Sequence, residues 1–153
     1  MTATAIDPGR SRSLARWNRA LTLLHGIQAV IMVAVGTTDA RFAPYITTAK
    51  PIFENGTFAG LEEVQLALFD IPLAWFIASF FVMSAIAHAT AGWFLRSRYE
   101  GWLARGMNPL RWVEYAFSST VMILAISSLS FINEFSALIA IAGCNVAMNL
   151  FGW

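Results

Sequence analysis

A chain of 153 residues that is 58% hydrophobic and 12% charged lacks the polar residues to cover a soluble domain of its size. A net charge of +1 gives no electrostatic footprint for nucleic acid or another strongly charged macromolecule. The charges lie in patches between apolar runs, and four of those runs approach or exceed the roughly 20 helical residues that cross a hydrocarbon core.

The first run covers about 18–36. Arg10, Arg12, Arg16 and Arg19 precede it, as in a secretory signal, but His25 and Gln28 interrupt the apolar stretch and VGTTDARFA is a poor cleavage site. It reads as an uncleaved first membrane helix. The loop of about 37–68 is the one long segment between runs. Tyr45-Ile46-Thr47-Thr48 favours extended backbone and Glu54-Asn55-Gly56-Thr57 signals a tight turn, so a small β-hairpin is expected there. The second run, 69–95, exceeds one span, with Asp70 and Pro72 near its start, so its outer turn is expected above the lipid or tilted. The third, 109–131, has Asn108 as a cap and Pro109 at the first helical position. The fourth, 135–153, follows a short loop around FINEF. It carries the single cysteine, Cys144, which excludes an intrachain disulfide and reads as a small packing residue. The expected fold is therefore all-α, one membrane domain over 1–153 with four transmembrane helices.

Basic residues in short loops favour the cytoplasm. The N-terminal segment has four arginines, and Arg96, Arg98 and Arg105 lie between the second and third runs, with Arg111 at the edge of that loop. The first loop has only Arg41 and Lys50, and the last has neither residue type. The N-terminus is expected in the cytoplasm and the hairpin loop outside, in the cell membrane.

Ionisable side chains within a membrane helix are costly and usually face the bundle interior. His25 lies seven residues beyond Asn18, His88 seven before Leu95, and Glu114 five beyond Pro109. At 1.5 Å per residue, all three fall roughly 8–10 Å from the arginine-rich end. Gln28, Ser84 and Ser118 follow or precede them at helical spacings of three or four, on the same faces. A buried polar cluster able to hold or release protons is expected. Each residue alone also reads as interhelical glue, least so Glu114, because an unpartnered buried carboxylate is hard to sustain. Asn145 and Asn149 read as packing hydrogen bonds. Two histidines and a glutamate suggest a metal too, but no two share a helix turn, and no metal is assigned. Trp112 and Tyr115 flank Glu114 and stand as walls for a flat apolar ligand, or as packing residues. No nucleophile–base pair or phosphate loop points to an enzyme.

LLHGIQAVIM, MSAIAHATAGWF, LRWVEYAFSSTVMI and CNVAMNLFG together resemble the N-terminal part of a heliorhodopsin, over about 15–152. The resemblance implies a light-sensing, non-pumping protein that binds all-trans retinal. Glu114 would be the counterion of a protonated retinal Schiff base. His25 and His88, with Gln28 and Ser84, would form a cytoplasmic-side proton cavity. Trp112, Tyr115 and Ser119 would lie close to the chromophore. It also implies seven helices, a homodimer built partly by the external loop, and a retinal-bearing lysine in the last helix. Here the one lysine is Lys50, in the loop, so the expectation is a chain lacking the Schiff-base lysine and the C-terminal helices. Two other readings stand beside it: a small four-helix membrane protein that handles protons or serves transport without retinal, and an assembly factor or anchor.

Overall fold

The computed structural model describes residues 6–152. Helix α1 spans Pro8–Val35 and begins ten residues before the expected 18. Asp7 caps it, its carboxylate accepting from the N–H groups of Gly9 and Arg10, and Pro8 sits in the first turn. The arginine-rich segment is thus helical. A span need not start where its apolar part starts, and 28 residues make a rod of about 42 Å, longer than a hydrocarbon core.

Strands β1 (Arg41–Phe42), β2 (Tyr45–Glu54), β3 (Thr57–Ala67) and β4 (Ile71–Pro72) follow. β2 and β3 pair antiparallel from Tyr45 opposite Ala67 to Glu54 opposite Thr57. Asn55 and Gly56 turn the chain at φ 50° and 81°, the left-handed conformations a two-residue turn demands. β1 and β4 pair at the base of this hairpin, where Arg41 Nε lies 2.7 Å from Asp70 Oδ1.

Helix α2 is Leu73–Ala89, not 69–95. Pro72 precedes it as the cap residue, and Phe69 to Pro72 belong to the hairpin base. The apolar run misplaces this boundary because strand and helix residues here are equally apolar. A π-helical turn, Thr90–Phe94, extends α2, and the unexpected short helix α3, Arg96–Ala104, follows. α4 is Pro109–Leu129, with Asn108 Oδ1 accepting from the Arg111 N–H at 3.2 Å. It stops two residues before the expected end: Phe131 takes φ 63°, while the N–H groups of Phe131 and Ile132 bond back to the carbonyls of Ser128 and Ser127. Glycine usually holds that place. Phe131→Gly is expected to raise stability by up to about 1 kcal/mol and Phe131→Val to lower it, read by thermal unfolding in detergent. α5, Phe135–Phe151, is capped by Glu134, which accepts from the Ala137 N–H at 3.0 Å; the final residue of the expected fourth helix, Trp153, lies outside the described residues.

α1, α2 with its π turn, and α4 are long and apolar enough to cross a membrane; α5, at 17 residues, is apolar but shorter. Most of their surface is exposed and apolar, including Val30, Ile31, Val35, Val82, Ile86 and Phe117. Such helices suit lipid as a solvent, since an apolar exterior in water would be unstable. Cys144 is exposed on α5 rather than packed inside. The tightest apolar cluster lies at the hairpin end, where Phe42 from β1 meets Leu73 of α2, Ala125 of α4 and Leu138 of α5.

Candidate functional site

Away from the hairpin, the interior between α1, α2 and α4 is polar. Ser84 is buried on α2, one turn before His88. Its hydroxyl donates to Glu114 Oε1 at 2.9 Å. Ser118, one turn after Glu114 on α4 and only 2% exposed, donates to the same oxygen at 2.8 Å. Two hydroxyls therefore orient one carboxylate oxygen, while Oε2 takes no hydrogen bond among the described residues. Glu114 lines a cavity of about 460 Å³, together with His88, Asn18, Tyr115 and Tyr99. A carboxylate held on one oxygen and open at the other is arranged to balance a cation or accept a proton.

His25 on α1 and His88 on α2 stack, ring centroids 5.5 Å apart and planes 10° from parallel. His25 Nδ1–H donates to Gln28 Oε1 at 2.9 Å, and His88 Nδ1–H donates to Asn18 Oδ1 at 2.9 Å. An amide oxygen can only accept, so both imidazoles carry the proton on Nδ1 and leave Nε2 as the acceptor when neutral.

Sequence reasoning used Asn18 only as the edge of an apolar run. It is 8% exposed, spans Leu14 O and His88 with its amide, and belongs to the site. A signal was present: Asn18 stands seven residues, two helical turns, before His25, on the same face. Gly92 makes this contact close, since a Cβ there would come within 3.3 Å of the Asn18 Cβ.

The expected site divides in two. Glu114, Ser84, His25, His88 and Gln28 lie together between α1, α2 and α4, and Tyr115 lines the cavity beneath the Arg111 guanidinium, 4.9 Å from its ring. Trp112 and Ser119 instead face α5. A Cβ at Gly152 would lie 2.6 Å from the Trp112 ring. Ser119 Oγ accepts from the amides of Asn145 at 2.8 Å and Asn149 at 3.0 Å, and Asn145 also donates to Thr120. The pair Asn145 and Asn149 thus bonds α5 to α4, as its spacing suggested.

Apolar helices with exposed lipid-compatible faces, around an oriented carboxylate and paired imidazoles, define a helical membrane protein with an interior charge-balancing site. The family model described as heliorhodopsin matches residues 14–153, across all five helices. The chain belongs to the heliorhodopsin family, a class of light-sensing, rhodopsin-like membrane proteins that bind retinal. No curated protein sequence matches it.

Proposed function

We propose that α1–α5 form the counterion side of a non-pumping, light-sensing heliorhodopsin site. The observation that carries this reading is Glu114, which lines the cavity and takes two hydroxyl donors on one carboxylate oxygen. In it, Glu114 balances a protonated Schiff base, and the His25–His88 pair takes up a proton on Nε2. Gln28 and Asn18 hold the rings in the tautomer that allows it. Ser84 and Ser118 keep the carboxylate aimed. Tyr115, which lines the same cavity as Glu114, bounds the chromophore on its α4 side, while Trp112 and Ser119 brace α4 against α5.

The residues fit the counterion role and not the covalent attachment. Lys50, the single lysine, is exposed on β2 opposite Glu62. The hairpin follows the end of α1 that lies ten residues, about 15 Å, beyond His25. The Schiff-base lysine in this reading is on a helix other than α1–α5. Retinal, when bound, supplies the light-driven isomerisation; these residues supply the negative charge and the proton acceptors.

The arginines around the start of α1 and along α3 support a cytoplasmic N-terminus, and the hairpin end, with only Arg41 and Lys50, faces outside. The exposed Phe53, Phe58 and Leu61 on the hairpin support a homodimer formed there.

The test is co-expression with heliorhodopsin helices that carry the retinal-bearing lysine, followed by addition of all-trans retinal. A visible band is expected, and Glu114→Gln is expected to move that band and lower the pKa of the Schiff base, since a nearby opposite charge favours the protonated form. A band and pKa unchanged by Glu114→Gln would remove Glu114 from the counterion role. Proton movement in vesicles by the chain without retinal would favour a retinal-free proton-handling subunit instead.

A further inference from the structure

A second cavity, of about 420 Å³, lies at the arginine-rich end between α1 and the start of α3. Gly9, Arg12, Ala15, Arg16, Arg19 and Arg96 line it. Arg12, Arg16 and Arg19 recur at four and three residues, so one face of α1 presents all three. Arg96 faces them from α3. Arg96 Nε donates to Glu100 Oε1 at 2.8 Å, Arg96 Nη2 lies 2.7 Å from Ser11 Oγ, and Ser11 donates to the same Glu100 oxygen at 2.7 Å. The bonds from Arg96 and Ser11 hold the Glu100 carboxyl below its usual range, so it stays ionised. Of the four guanidinium groups, Arg96 is the one that meets this carboxylate. Among the described residues, the other three make no ion pair.

The surroundings say what kind of anion belongs there. The Arg19 guanidinium lies over the Trp93 ring, 5.3 Å from its centroid. Trp93 and Phe94 are both exposed, on the π turn that ends the apolar span of α2. The cavity therefore sits where apolar helix surface gives way to arginine, the level at which phosphates meet acyl chains. Arginine forks match phosphate oxygens in pairs, and the exposed Trp93 under Arg19, with the exposed Phe94 next to it in the chain, suits the glycerol and first methylenes. A free anion would use the arginines and leave the neighbouring Trp93 and Phe94 without a role.

We propose that this cavity binds the headgroup phosphate of an anionic phospholipid, with Arg12, Arg16, Arg19 and Arg96 as its ligands. The site is independent of the light-sensing reading and shares no residue with the Glu114 cavity.

Native mass spectrometry of the 153-residue chain in mild detergent tests it, with phosphatidylglycerol and phosphatidylcholine of matched acyl chains. Phosphatidylglycerol is expected to be retained in preference, and the preference is expected to fall about five-fold for each of Arg12→Gln and Arg16→Gln. Arg105→Gln, outside the cavity, should leave it unchanged, and an Arg12→Lys/Arg16→Lys pair should keep most of it. Should the glutamine variants fold poorly, the unaltered chain still decides the matter, since its preference must weaken as salt rises. Equal retention of both lipids, or a preference indifferent to salt or to both glutamine variants, overturns the proposal. Displacement by millimolar inorganic phosphate also overturns it and assigns the cavity to a free anion.

Discussion

Phe42→Ala is expected to lower the unfolding free energy by about 3–5 kcal/mol, the range for emptying a well-packed aromatic site. Phe42 is 3% exposed although it belongs to a two-residue strand outside every helix. Its ring stacks on Phe76 with centroids 4.2 Å apart and planes 9° from parallel, and tilts against Phe69 at 5.8 Å. The cluster with Leu73, Ala125 and Leu138 draws on α2, α4 and α5 at once. One side chain therefore fastens the hairpin base to three helices, and little around it can move to fill the space. Phe58→Ala near the hairpin tip is the control. That ring is 57% exposed, and its loss should cost within about 0.5 kcal/mol. Equilibrium unfolding of the detergent-solubilised chain measures both. A loss below 1 kcal/mol for Phe42→Ala would mean that the hairpin base is not part of the cooperative core.

The second large effect is expected at Glu114. Removing either hydroxyl, by Ser84→Ala or Ser118→Ala, should cost about 1.5–3 kcal/mol while Glu114 is ionised, because a half-buried charge loses one of the two donors on its bonded oxygen. In a Glu114→Leu background the same substitutions should cost much less, since no charge is left to satisfy. The double-mutant cycle should then return a coupling above about 1 kcal/mol for each serine. Purely additive losses would mean that the two hydroxyls only pack beside the carboxylate. This cycle needs no chromophore, so it separates the oriented carboxylate from the counterion role proposed for it.

Much of the site was legible because membrane helices impose a severe rule. A carboxylate or imidazole inside an apolar run must find an interior partner, so Glu114, His25 and His88 were marked by their surroundings alone. The helical spacing of three or four then supplied Gln28, Ser84 and Ser118. Asn18 was missed because a polar residue at the edge of an apolar run looks like the end of a helix. The start of α1 and the whole of α3 were missed for a related reason: a run of apolar residues defines where lipid lies, not where backbone hydrogen bonds begin. Asp7 and Pro8 held the true start, but a cap is a weaker signal than hydropathy.

What the amino-acid order determined by itself was the solvent and the chemistry. Too few charges for a soluble surface, basic residues gathered at alternate loops, and three ionisable groups at one depth follow from composition and spacing. Only the tertiary structure decided which partners those groups take. It stacked the two imidazoles, set Ser84 and Ser118 on one carboxylate oxygen, and turned Trp112 and Ser119 toward α5. The rotation of each helix about its axis decides such contacts, and it is fixed by close packing at places such as Gly92 against Asn18 and Phe42 against Phe76. Periodicity says which residues share a face; only packing between helices says what that face meets.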